Sequence, residues 1–175
     1  MRWVALLRAV NLGARNKVPM AELRTQLEAA GYGSVRTYIA SGNVIFDAPG
    51  GRAAVARRLE RRIADEFGVD TTVILRKPEE LAAVVEGHPF GADTSHAHVV
   101  FLARKPGAAA AKRLAATDHS PDRAVLVGMD VYLHYPVGVQ GSRLSAARLE
   151  RLLDVRATHR NWRTVAKLAE LATEA

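Results

Sequence analysis

The stretch Val35-Arg36-Thr37-Tyr38-Ile39-Ala40-Ser41-Gly42-Asn43-Val44-Ile45-Phe46 decides the fold. Its first half alternates and is rich in β-branched residues, and its second half is a short apolar run. Ser41-Gly42-Asn43 between them supplies residues that tolerate positive φ, so two strands joined by a turn are predicted. A helical pattern lies on each side. Before the hairpin, Met20, Leu23, Leu27 and Ala30 share one helical face, with Pro19 near the first turn and Gly31 and Gly33 as stops. After it, Val55, Leu59, Ile63 and Phe67 recur every four residues between Gly50-Gly51 and Gly68. Residues 3–8 read as a buried strand ended by Asn11-Leu12-Gly13, and residues 71–75 as another. The order β-α-β-β-α-β is the ferredoxin-like pattern.

The remainder repeats the theme. A connector helix over 79–86 is begun by Pro78, and a strand over 97–102 and a helix over 107–116 follow. Residues 124–127 and 131–135 then form a hairpin across Gly128-Met129-Asp130. Two helices, about 145–154 and 161–172, finish the chain. The predicted fold class is α+β, with two tandem ferredoxin-like βαββα units. The first (1–77) is complete; the second (78–175) lacks its last strand and ends in extra C-terminal helices. No low-complexity linker intervenes, which predicts closely packed halves.

Composition narrows the class. The chain has 175 residues, 49% hydrophobic and 25% charged, enough for a substantial core. It has no cysteine, which excludes disulfides, thiolate metal sites and a cysteine nucleophile. The N-terminal apolar run sits between Arg2 and Arg8 and is too short for a signal peptide. No stretch approaches the roughly 18 apolar residues of a membrane span, so a cytoplasmic protein is expected. The net charge of +7 favours anions. Residues 1–87 carry 13 basic and 10 acidic groups and residues 88–175 carry 12 and 8, so neither half is a basic tail. Arginine outnumbers lysine 20 to 5 in this alanine-rich chain, a bias that genomic composition explains as readily as function.

Strand alternation assigns faces. Val35, Thr37 and Ile39 form one set, which leaves Arg36 and Tyr38 on the opposite, open face of the sheet. In the second half Tyr132 and His134 share such a face. Arg8, Asn11 and Lys17 surround Gly13 at a strand-to-helix junction, where amides and cations cradle phosphate or carboxylate groups. The P-loop and GxGxxG spacings are both absent. Ser41 and Asn43 serve either a ligand or the turn itself, and turn chemistry is the simpler reading. Thr158 or Asn161 is placed to cap the last helix, while Arg160 has no such duty. Residues 88–98 hold three histidines and Asp93. His96 and His98 would share a strand face, but the spacing matches no closed metal site, and neither metal nor cofactor is expected. No GxSxG, HExxH or kinase signature occurs.

Five stretches together resemble the uncharacterised bacterial family known as domain of unknown function 1697. They are Leu6-Leu7-Arg8-Ala9-Val10-Asn11-Leu12-Gly13, Met20-Ala21-Glu22-Leu23-Arg24, the hairpin quoted above, Tyr132-Leu133-His134-Tyr135-Pro136 and Arg160-Asn161-Trp162-Arg163-Thr164-Val165. Ala9 stands where glycine is common in that family's L-R-G-I-N, and Arg143 where lysine is frequent in its S-K-L. The resemblance implies a duplicated α/β architecture in a bacterial cytoplasmic protein and carries no catalytic assignment.

Three functions compete. The first is binding of a small phosphate- or carboxylate-bearing ligand in a polar cleft between the halves. Arg8, Asn11, Lys17, Arg36 and Arg160, with Asn161 beside them, would hold the anion. Tyr38, Ser41, Asn43, Tyr132 and His134 would orient it, with His134 the proton-transfer group if there is chemistry. The second is a nucleic-acid module stacking bases on open sheet faces, and the third an interaction protein without a ligand. The sequence assigns neither a reaction nor an oligomeric state.

Overall fold

A computed structural model describes residues 1–174. Among these, the chain forms two four-stranded antiparallel sheets and six helices. It divides into two compact units, Met1–Leu81 with the chain from Leu168 onward, and Ala82–Lys167.

In the first unit, β1 (Arg2–Leu7) is central and pairs antiparallel with β3 (Asn43–Asp47) and β4 (Val73–Arg76). β2 (Gly33–Tyr38) pairs with β3, giving the order β2-β3-β1-β4. α1 (Met20–Ala29) and α2 (Arg52–Phe67) bury the stripes expected of them: Leu23 and Leu27, and Val55, Leu59 and Ile63. These side chains pack with Trp3, Ala5, Leu7, Val44 and Phe46. α2 ends at Gly68, whose φ of 64° lets its N–H reach the Ala64 carbonyl.

In the second unit, β5 (Ala97–Leu102) is central, flanked by β7 (Asp130–His134) and β8 (Ala157–Asn161), with β6 (Arg123–Val127) on β7. The order β6-β7-β5-β8 repeats that of the first sheet position for position. α4 (Ala108–Ala116) and α5 (Ala146–Leu153) contribute Leu114, Leu149 and Leu153 to a core with Val100, Leu133 and Tyr135. α3 (Pro78–Glu86) precedes this sheet and α6 (Trp162–Thr173) follows it.

Two expectations are corrected. The second unit does not lack its last strand: residues 157–161 pair with β5 from His98↔Asn161 to Leu102↔Ala157. Ala-Thr-His-Arg-Asn carries one apolar residue, so hydrophobic alternation could not reveal it. Register and burial define it, with Thr158 and Arg160 both inside. Nor are the sheet faces opposite the α1–α2 and α4–α5 layers open. Val4, Leu6, Ile45 and Ile74 are buried in the first sheet, as are Val99, Phe101 and Tyr132 in the second.

The turn between β2 and β3 is set by close approach. A Cβ on Gly42, whose φ is 86°, would lie 2.5 Å from Val10 Cγ2 and 2.8 Å from Leu7 Cβ. Leu7 N also donates to the Gly42 carbonyl at 2.8 Å, so the turn cannot back away without losing that bond. Nearby, Ala9 has φ 54° and Ile39 φ 49°, left-handed values that cost L-residues about 1–2 kcal/mol. The glycine usual at the first of these positions would carry no such cost.

Gly42→Ala is therefore expected to destabilise the chain by about 2–4 kcal/mol, strain and overpacking together. Ala9→Gly should stabilise it by about 0.5–1 kcal/mol once the unfolded-chain entropy of glycine is subtracted. Chemical denaturation measures both, and a neutral Gly42→Ala would contradict the packing described.

Candidate functional site

The residues singled out in the first unit are mostly structural. Asn11 is a staple: its Nδ2 donates to the Val18 and Ala40 carbonyls at 2.9 and 2.8 Å, and its Oδ1 accepts from Val18 N at 2.8 Å. Asn43 is fully buried and donates to the Tyr38 carbonyl and Ser41 Oγ, closing the hairpin. Asn11, Tyr38, Ser41 and Asn43 thus meet around one turn, as turn chemistry required. Arg8 is half-buried just beyond β1, its carbonyl accepting from Thr71 Oγ1, and Lys17 is exposed. Arg36 stands apart in an ion pair with Glu174 at 2.7 Å.

In the second unit, Tyr132 donates its hydroxyl to the Val84 carbonyl at 3.0 Å, anchoring β7 to α3. Arg160 is buried and donates to Thr158 Oγ1 and the His159 carbonyl. Burial lowers it to about 10, still a cation at neutral pH. Tyr132 and Arg160 flank Val99 on the same sheet face. His134 packs against Phe90 and His96. Asn161 is the cap of α6, accepting from Thr164 N at 2.8 Å, and Thr158 is not. His96 and His98 do not converge. The ring of His96 meets His134, and that of His98 meets His159 at 4.8 Å and Tyr135 at 5.0 Å.

Two loops that sequence reasoning passed over build a pocket of about 390 Å³. One, residues 118–122, joins α4 to β6. The other, residues 135–145, joins β7 to α5. The first is folded by Asp118 Oδ1 accepting from Ser120 N, and by Asp122 N donating to the His119 carbonyl across the cis Ser120–Pro121 bond. The loops are tied where Ser142 Oγ donates to Asp122 Oδ2 at 2.6 Å. Leu144 N donates back to Ser142 Oγ at 2.9 Å, and Tyr135 donates its hydroxyl to the Leu144 carbonyl at 2.5 Å. Burial and the charge of Asp122 push the Tyr135 phenol well above its ordinary value, so it remains a donor.

Asp122 is 8% exposed, and its Oδ1 is buried with no hydrogen-bond partner among the described residues. Arg143 and Arg148 line the same pocket, and neither forms an ion pair among the described residues. Ser145 caps α5 by accepting from Arg148 N at 3.2 Å, so the pocket lies at that helix's N-terminal end. Positive partial charge on the amides and two guanidinium groups meet there. The available sequence signals were weak: a Ser-Arg-Leu triplet before a capping serine, and an aspartate after proline.

The sequence of residues 1–132 matches the family described as Protein of unknown function (DUF1697). The chain belongs to this family. No match was found among curated proteins. Among solved structures, this family member is similar to the conserved bacterial protein SP0830 from Streptococcus pneumoniae. The two are 22% identical, with a TM-score of 0.75 and 98% of each chain covered. At that identity the likeness speaks for the fold alone. No helix of the described residues is long and apolar enough to cross a membrane.

On the helix side of the second sheet, His98 and His159 leave buried ring nitrogens, Nδ1 and Nε2, without partners among the described residues. Burial lowers both imidazoles, His159 to about 4, aided by the neighbouring His98 and Arg160. An unfolded histidine titrates near 6.5, so the unfolded chain takes up these protons first. The stability they contribute is present in full above pH 6.5 and is lost as pH falls towards 4. The melting temperature should fall between pH 7 and 5, and His159→Gln should flatten that slope. An equally steep slope in the variant would contradict the assignment.

Proposed function

We propose that this protein binds a small anionic ligand, phosphate- or carboxylate-bearing, at the pocket formed by residues 118–122 and 135–145 with the start of α5. The supporting observation is the pairing of Arg143 and Arg148 on one concave polar pocket at the capped N-terminus of α5. Arg143 and Arg148 are themselves exposed, and exposed charges alone give an anion little, so the reading rests on their convergence on a concavity. A concave site lets guanidinium and amide donors act together with less competition from water. A volume of about 390 Å³ suits a small metabolite rather than a polymer. All the residues of the proposed site belong to the second unit. Binding is the function inferred; no group in the pocket is assigned a chemical step.

The strand order common to both sheets supports a further part of the same reading, that the fold is a duplicated ferredoxin-like unit.

Inorganic phosphate is the first probe. A ligand at tenfold excess over its Kd stabilises by about 1.4 kcal/mol. In a chain of this length that raises the melting temperature by about 3–6 °C. The rise should exceed that of chloride at equal ionic strength and should disappear when Arg143→Ala and Arg148→Ala are combined. Equal shifts in phosphate and chloride, or a rise that survives the double substitution, would reject the site.

A further inference from the structure

We infer that β6 is a dimerisation edge: two copies of this chain pair their β6 strands antiparallel about a two-fold axis, joining their second-unit sheets into one. β6 is an outer strand of its sheet. Its ladder with β7 runs without interruption from Arg123↔His134 to Val127↔Asp130. On the far side of β7, Leu102 N donates to the Met129 carbonyl and Tyr135 N to the His96 carbonyl, at 2.9 and 3.0 Å. Those bonds flank the pairs Phe101↔Asp130 and Ala97↔His134. Asp130 and His134 therefore turn their own backbone groups toward β6, where Val127 and Arg123 bond them. Bonding direction alternates along a strand, so Ala124 and Leu126 present their N–H and C=O groups outward. No backbone bond from outside the sheet reaches either residue among the described residues.

The strand in the same position of the first sheet is built differently. β2 shifts register between Gly33 and Arg36, Ser34 has φ 49°, and Arg36 puts a charge on the strand. Such features discourage strand addition. β6 lacks them: Ala124, Val125 and Leu126 are half-buried, and Val127 is 54% exposed. A straight apolar edge of this kind invites another strand, and a second copy of β6 complements it. With Ala124 bonded to the partner's Leu126, and Leu126 to the partner's Ala124, the outward groups of both strands are satisfied. Val125 then meets the partner's Val125 on the axis, as a close non-hydrogen-bonded pair. Arg123 falls opposite the partner's Val127, beside which the partner's Asp130 stands on the same face. Asp130 is two strands away, about 10 Å between backbones, a gap that an extended arginine and an aspartate span together. The arginine stem covers the exposed valine, its guanidinium meets the carboxylate, and no like charges stand opposite each other. In the single chain Arg123 rests on the Phe90 ring, 4.8 Å from its centroid, with no ion pair among the described residues.

Sedimentation velocity of the full chain tests the association. An edge contact is small, so a reversible dimer with a Kd of about 10–100 µM is expected over a range of about 1–200 µM chain. Leu126→Pro removes an outward N–H at an edge position that accommodates proline, and should weaken the dimer tenfold or more. The register is read by cross-linking, since the chain has no cysteine of its own. Val125→Cys sets two thiols across the axis within disulfide reach. In Val127→Cys the two lie about 14 Å apart along the paired strands. In a glutathione redox buffer Val125→Cys should cross-link at least tenfold faster, although residue 127 is the more exposed. A monomer across the whole range overturns the inference. So does a dimer that Leu126→Pro leaves intact, or cross-linking at 127 as fast as at 125. Where the proline variant fails to fold, the two cysteine variants still decide.

Discussion

The hydrogen bond from Ser142 to Asp122 is the joint on which the second unit's polar site depends. Residues 118–122 and 135–145 are irregular segments tied directly by this 2.6 Å side-chain contact. It is charge-assisted, and therefore among the stronger hydrogen bonds a protein makes. Around it the remaining parts fall into place. Leu144 N closes on Ser142, Tyr135 reaches the Leu144 carbonyl from β7, and Ser145 begins α5. This tie and the bonds around it fix the geometry of the two loops.

Most of the fold was legible because its signals are local. The stripes of α1 and α2, the two hairpins and the glycine stops each follow from periodicity or turn chemistry. β8 was not legible, because Thr158, His159 and Arg160 are polar residues held in place by pairing with β5 and, for His159, by ring contacts with His98 and Tyr135. The buried faces of both sheets were misjudged for a related reason. Alternation tells which residues share a face, and the covering of that face is a tertiary fact.

Neither loop of the candidate pocket was singled out by the sequence. Of the arginines singled out, Arg36 is engaged with Glu174, Arg160 with Thr158 and the His159 carbonyl, and Arg8 is half-buried just beyond β1. Asn11, Asn43 and Tyr132 each donate a hydrogen bond to a backbone carbonyl. Polar residues that hold a fold together and polar residues that hold a ligand have the same appearance in a sequence. What separates them is the tertiary setting of each side chain. No spacing rule could have marked an aspartate in a loop as half-satisfied, since its partner lies 20 residues away.

The most direct measurement is a backbone amide chemical-shift titration of the full chain with phosphate. Binding at the pocket should move the amides of Ser120, Asp122, Ser142, Arg143 and Arg148, saturably and together, while those of Asn11, Asn43 and Arg36 stay in place. Shifts spread over the basic surface without saturation, or concentrated in the first unit, would contradict the assignment of the site.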